Sequence, residues 1–312
     1  MTYLSIAQHA AVPAVAHPLS YFQAVVLGLL QGITELFPVS SLGHTVLFPT
    51  LFGWNTLVKA QSDSNSFWVA LVVVLHVGSA VGLLIYFWRD WVAIIRGFLH
   101  TLVTRRIETS TERLAWLIVL ATIPAGILGL ALQRQLSVAL ATPSLAAAFL
   151  MVNGVMLIGA ERLRKRAEVR DLAVREGLNA EGARDLTTLE YREAVAIGTF
   201  QSAALIPGIS RDGVVMTGGL LRGLDNEDAA KFSFLLATPI ILAAGLFKLS
   251  NLTGPHGDGL RSQALVAAVC AAIGSIISVH YLLRYFKTKN LIPFGIYCLV
   301  FGAAMVIYTA VD

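Results

Sequence analysis

Glu35, Ser40, Ser41 and His44 fall within one short stretch, Gln31-Gly-Ile-Thr-Glu35-Leu-Phe-Pro38-Val-Ser40-Ser41-Leu-Gly43-His44, set inside an otherwise apolar run. A carboxylate, two hydroxyls and an imidazole are the working groups of acid–base and nucleophilic chemistry. Gln31 and Glu35, four residues apart, share one face of a helix. Pro38 breaks that helix just after Glu35. The carboxylate is thus placed to hold a divalent cation, to act as acid or base, or to bond backbone that the break has freed. Ser40 and Ser41 precede His44 by four and three positions, the minimal nucleophile-and-base spacing. Alternatively, Ser41 caps the second half-helix and His44 itself attacks phosphorus. His76 is the contrast: it stands alone in an apolar span, and the expectation there is a buried structural histidine.

A second polar stretch, Gln201 to Thr217, carries Pro207-Gly208-Ile209-Ser210-Arg211-Asp212-Gly213. A guanidinium in a membrane-embedded turn calls for a phosphate or a buried carboxylate, because its fork pairs with two oxygens at once. Gly208 and Gly213 permit close backbone approach. The N-terminus of the helix that follows Ser210 adds amide donors and a dipole that favours an anion. Two half-helix N-termini, Ser41 to His44 and Ser210 to Gly213, would then face one polyanion. The chemistry they point to is phosphate binding and phosphoryl transfer.

The elements that must position these groups are membrane helices. Of 312 residues, 56% are hydrophobic and 13% charged, against roughly 25% charged in a soluble domain. Apolar windows recur along the whole chain, predicting an all-α bundle rather than a barrel. The net charge of +4 is small. It reads as orientation signal and headgroup contact in a lipid bilayer, and no nucleic-acid surface is expected. Cys270 and Cys298 lie in apolar spans without Cys or His partners and predict no metal site. The first 19 residues lack a basic n-region and a clear cleavage site, so no removable signal peptide is expected.

Spans are predicted at Phe67–Trp88, Leu114–Leu132, Pro143–Ala160, Ala229–Leu249, Gln263–Leu283 and Leu291–Ala310, each near the ~20 residues that cross a bilayer. Residues 20–53 and 193–224 are apolar at both ends but broken by Pro38 and by Pro207-Gly208. These read as re-entrant helix pairs, tolerated at membrane depth where protein or a wet cavity covers the backbone. Basic residues crowd three loops: Arg89 to Arg113, Arg162 to Arg170, and Arg284 to Lys289. The positive-inside rule places those loops in the cytoplasm, so that residues 20–53 enter from the outer side and 193–224 from the inner. The predicted architecture is one integral membrane domain over 1–312, built as an inverted repeat. Repeat 1 covers about 20–160, a solvated cytoplasmic loop about 161–192, and repeat 2 about 193–312. Each half is one re-entrant pair plus three transmembrane helices. In support, twelve positions separate Gln31 from Gly43 and Gln201 from Gly213, and Ser40-Ser41 overlies Ser210-Arg211.

Gln31-Gly-Ile-Thr-Glu35, Pro38-Val-Ser-Ser-Leu-Gly-His44 and Pro207-Gly-Ile-Ser-Arg211 resemble the signature motifs of bacterial undecaprenyl-pyrophosphate phosphatases of the bacitracin-resistance type. So do Thr122-Ile-Pro-Ala-Gly126 and Lys231-Phe-Ser-Phe-Leu-Leu-Ala-Thr-Pro239, and the resemblance runs nearly end to end. It implies a plasma-membrane enzyme that removes the terminal phosphate of the C55 lipid pyrophosphate left after cell-wall polymerisation, and the outward entry of residues 20–53 fits a site facing the extracytoplasmic side. The resemblance also implies a divalent cation, Mg2+ or Ca2+, with Glu35 as ligand. Activity is expected at Glu35, Ser41, His44, Ser210 and Arg211, with Gln31 at the (Glu/Gln)-xxx-Glu position. Substrate contacts are expected from Gln31, Ser40, Gly208, Ser210, Asp212, Gly213 and Thr217.

The chain departs from the family's usual Ser-Arg-Ser-Gly-x-Thr, reading Ser210-Arg211-Asp212-Gly213-Val214-Val215 instead. Asp212 is read as repelling pyrophosphate, pairing with Arg211 or adding a metal ligand, and Thr217 as an imperfect stand-in for the missing hydroxyl. The expected mechanism is metal-assisted phosphoryl transfer on a polyprenyl pyrophosphate whose chain lies in an apolar groove. Ser41, His44 or a water activated by His44 is the attacking group. The rival reading is a transporter or flippase of polyprenyl phosphate. A homo-oligomer is compatible with the sequence, which sets no stoichiometry.

Overall fold

The computed structural model describes residues 19–61, 67–139, 142–175, 186–247 and 260–311, and among these no strand is present. The first helix, α1 (Tyr21–Leu36), starts at Ser20, whose hydroxyl accepts from the Gln23 amide while the Gln23 side chain accepts from the Ser20 amide. It ends where Phe37 turns extended, the conformation imposed on a residue preceding proline. After the turn, α2 (Ser41–Leu51) runs on to the short α3 (Asn55–Gln61). Then come α4 (Phe67–Tyr86), α5 (Trp88–Thr104), α6 (Ser110–Ala139) and α7 (Pro143–Arg175). In the second half, α8 (Tyr191–Phe200) tightens into a 3-10 turn over Gln201–Leu205 and breaks at Pro207-Gly208. It is followed by α9 (Arg211–Leu221), α10 (Asn226–Phe247), α11 (Arg261–Phe286) and α12 (Ile292–Val311).

Among the described residues six helices, α4, α6, α7, α10, α11 and α12, are long and apolar enough to cross a membrane, and they are the six expected. Two outrun the expectation. At 30 residues α6 begins at Ser110, and α7, at 33, continues to Arg175 where a solvated loop was expected. At 1.5 Å per residue α7 is about 50 Å long, well beyond the hydrocarbon core. Its extension mixes both charges, and Arg164 already pairs with the buried Glu161 at 2.8 Å. By contrast α1, α2, α8 and α9 have 16, 11, 10 and 11 residues, too short to span about 30 Å. The two broken segments are therefore helix pairs interrupted at their prolines, as expected.

Small residues let the broken helices pack tightly. Along α1, Gly28 and Gly32 lie on α11, where a β-carbon at Gly32 would come within 2.8 Å of the Ser275 amide. On the other side, Gly198 of α8 lies on α6, where a β-carbon would come within 2.6 Å of Ala121 Cα. Such small-residue contacts drive association where lipid removes the hydrophobic difference between partners. The main core lies around the tips of the broken helices. Leu36, Val46, Leu47, Leu150, Leu157, Val215 and Phe232 are all within it.

Candidate active site

The two breaks meet back to back. In the first turn Ser40 takes a positive φ of 69°, and its hydroxyl accepts from the Gly43 amide at 3.2 Å, capping α2. The same hydroxyl accepts from the Gly208 amide of the second turn, also at 3.2 Å. Gly208 sits at φ 99°, and a β-carbon there would run into the Ala146 carbonyl and stand 2.7 Å from the Leu150 amide of α7. Only glycine meets both demands. Ser210 repeats the cap on α9, accepting from the Gly213 amide at 3.1 Å. Asn153 of α7 ties the turns together. Its side-chain NH2 donates to the Pro38 carbonyl at 2.8 Å, and its Oδ1 accepts from the Ser210 amide at 3.0 Å.

This junction puts Glu35 and Arg211 in contact. Arg211 Nη2 donates to Glu35 Oε1 at 2.7 Å. Ser41 Oγ donates to Glu35 Oε2 in a short hydrogen bond, and Gln31 Nε2 donates to the same oxygen at 2.9 Å. His76 Nε2 of α4 stands 3.4 Å from it. A buried carboxylate is affordable at this depth because a guanidinium and several donors surround it. Arg211 also stands 3.3 Å from Asp212 Oδ1, which accepts from Ser233 Oγ at 2.9 Å. Arg211 Nη1 is buried without a protein partner, leaving one strong donor uncommitted.

Glu35, Ser40, Ser41, Ser210, Arg211 and His76 line one cavity of about 330 Å³. The rest of its wall is mainly aliphatic, with Val69, Val72 and Val73 of α4 and Ile240 and Ile241 of α10. A cavity that combines a guanidinium and a carboxylate with a mostly aliphatic wall suits an amphiphile with an anionic head.

Other expected residues stand back from this wall. Gln31 is fully buried and reaches the cavity only through Glu35. Asp212 is buried behind Arg211 and forms the arginine pair that was one of its three readings. Gly208 and Gly213 act through backbone packing on α7. Thr217 lies outside the cavity lining, its hydroxyl buried and unbonded. The Ser41–His44 pair suggested by spacing is not formed, because Ser41 turns to Glu35. His44 instead points away from the cavity: Nδ1 meets the Ser40 carbonyl at 2.8 Å, Nε2 meets Tyr297 Oη at 2.7 Å, and its ring stacks on Tyr297 and Phe301. The expectation for His76 is corrected, since α4 carries it onto the Glu35 carboxylate. Its Nδ1 is held by the Val72 carbonyl at 2.7 Å, which aims Nε2 at the site. Asn153 had no place among the expected residues, although a lone amide in an apolar span is itself the mark of an interhelical bond.

Among the described residues, no three or more His, Cys, Asp and Glu side chains are placed to hold a metal ion. Magnesium carried on phosphate oxygens needs only one or two protein carboxylates. Glu35 is such a carboxylate on the cavity wall. The donor set fits a cation that arrives with a phosphate, and not a cage complete without one.

The model of the family described as bacitracin resistance protein BacA matches residues 24–304. The chain belongs to this family. Among its relatives is an undecaprenyl-diphosphatase 2 of Frankia alni, 49% identical over 95% of this chain and 99% of the relative. Another is an undecaprenyl-diphosphatase of Mycolicibacterium paratuberculosis, also 49% identical, over 94% and 98%. An undecaprenyl-diphosphatase of Acidiphilium cryptum is 43% identical over 91% and 96%. The chain thus spans nearly the full length of each, and the junction of Glu35, Ser41 and Arg211 lies wholly inside the family match.

Proposed function

We propose that the chain is an undecaprenyl-diphosphatase of the bacterial plasma membrane, hydrolysing the C55 lipid pyrophosphate to the monophosphate and phosphate. The observation that carries this reading is the hydrogen-bonded set Ser41–Glu35–Arg211 at the base of an apolar cavity. Arg211 binds phosphate oxygens through the uncommitted Nη1 and through Nη2, which leaves Glu35 as they arrive. Ser41 Oγ attacks the terminal phosphorus and gives its proton to Glu35 Oε2. The bond from phosphorus to the bridging oxygen breaks, and undecaprenyl phosphate departs. Water then attacks the phosphoserine, Ser41 recovers its proton from Glu35, and the water proton leaves on inorganic phosphate. This assigns the attack to Ser41, which lies on the cavity wall with a base already in place, and gives His44 the task of holding the Ser40 turn. A divalent cation held by Glu35 and the phosphate oxygens would supply charge neutralisation, the larger part of phosphoryl-transfer catalysis.

Two further parts of the reading concern the whole chain. The inverted repeat is supported by exchanged packing: α1 lies on α11 of the second half, and its counterpart α8 lies on α6 of the first. Both turns are also capped by a serine accepting from a glycine amide three residues on. The basic loops support a site open to the extracytoplasmic side.

The test is phosphate release from C55 pyrophosphate by purified protein in detergent with Mg2+. Wild type is expected to turn over, Ser41→Ala to lose at least about a hundredfold, and Arg211→Ala to fall to background, as loss of a transition-state arginine commonly costs roughly 10³-fold or more. Full activity of Arg211→Ala would sink the clamp. Lipid movement in proteoliposomes without any phosphate release would replace hydrolysis by transport.

A further inference from the structure

Helix α5 (Trp88–Thr104) is unlike the six spans around it. It has 17 residues, about 25 Å of helix, and carries Arg89, Asp90 and Arg96, so it is neither long nor apolar enough to cross. It follows directly on the span α4, at the bent residue Phe87 (φ −95°, ψ 24°), which sets its start at a membrane face.

Two of its sides are apolar. Trp91, Ile94 and Phe98 face the protein core. Trp88, Val92, Ile95, Leu99, Leu102 and Val103 form a second stripe that no part of the described chain covers, with Trp88 56%, Leu99 54% and Val103 85% exposed. Their spacing of four, three, four, three and one residues keeps them in a sector of about 100°. Next to that sector stand Arg89 and Arg96, both exposed, and Arg105 and Arg106 follow at the C-terminal end. Asp90 is turned away to Lys231 of α10 at 3.3 Å, which leaves the basic edge without an acidic neighbour on this helix.

An apolar stripe bordered by arginines on a helix too short to span fits the interface of a bilayer. The charge fixes the kind of lipid. We infer that α5 lies in the membrane plane and binds anionic phospholipid headgroups, its stripe sunk among the acyl chains and Arg89 and Arg96 on the phosphates. The other occupant of such a face would be a second copy of the chain, and the uniform basic edge speaks against that pairing because it would oppose like charges.

The test places the full chain in phosphatidylcholine nanodiscs containing graded amounts of brominated phosphatidylglycerol or brominated phosphatidylcholine. Tryptophan quenching is compared with that of Trp88→Phe to isolate the Trp88 signal. Half-maximal Trp88 quenching is expected at a roughly twenty-five-fold lower fraction of the brominated phosphatidylglycerol, since Arg89 and Arg96 near an anionic surface each add about fivefold. Arg89→Gln/Arg96→Gln is expected to bring the two midpoints together while phosphate release stays at the wild-type rate, which shows the variant folded. Absence of Trp88-dependent quenching by either lipid would overturn the in-plane placement. Equal midpoints in wild type, or a preference that survives both substitutions, would overturn the anionic-lipid site.

Discussion

At the level of single side chains, Glu35 and Asn153 do opposite kinds of work. Glu35 collects four partners around one carboxylate, and the motif around it could be read directly from residue types. Asn153 makes no contact with the cavity, yet its amide bonds both turns at once. Truncating it to Ala leaves the Pro38 carbonyl and the Ser210 amide buried and unpaired, at roughly 1–3 kcal/mol each. Asn153→Ala is therefore expected to lower kcat at least about tenfold with KM changed far less, together with a lower melting temperature. Asn153→Asp keeps the acceptor for Ser210 but sets an unpaired carboxylate oxygen against the Pro38 carbonyl, and should be no better than Ala. A kcat unchanged in Asn153→Ala would show that the turns hold their register without it. Asn153 was legible only as an isolated amide in an apolar run, while His76 was misread because its partner is distant in sequence and close in space. Spacing along a chain finds neighbours on one helix, and both of these residues act between helices.

Among the helices, the breaks were the legible part. Pro38 and Pro207-Gly208 announce interruptions because proline removes a backbone donor and restricts the residue before it. The long end of α7 was not legible, since beyond Ala160 the apolar signal that marks a span gives way to mixed charge. The turn at Gly208 is doubly constrained, with φ at 99° and the α7 backbone against its Cα. Gly208→Ala is expected to abolish phosphate release and to lower the yield of folded protein, because a β-carbon there meets backbone that cannot rotate away. A well-folded, active Gly208→Ala protein, judged by gel filtration and turnover, would mean that the turn has an alternative path.

On the scale of the molecule, membrane class followed from composition and the six crossings from the apolar windows, whereas the meeting of two stretches far apart in sequence needed the packing of α1 on α11 and α8 on α6. The donor set carries a prediction of its own. With one cavity carboxylate already engaged by Arg211, substrate-free protein is expected to show no saturable Mg2+ binding by calorimetry below millimolar concentrations. Binding should emerge when a pyrophosphate-bearing analogue is added. Tight binding to the free protein would require a cation cage that the described residues do not form.

The shared Ser40 hydroxyl, accepting from Gly208 across 168 positions of chain, also has a bearing on biosynthesis. A nascent polypeptide that has delivered only its first half to the membrane owns Glu35 and Ser41 but neither the Arg211 guanidinium nor the wall that props up their turn. Catalytic competence should therefore switch on late in translation, when the second broken hairpin threads in beside the first, and a prematurely terminated product would be an inert membrane protein rather than a poorly controlled hydrolase.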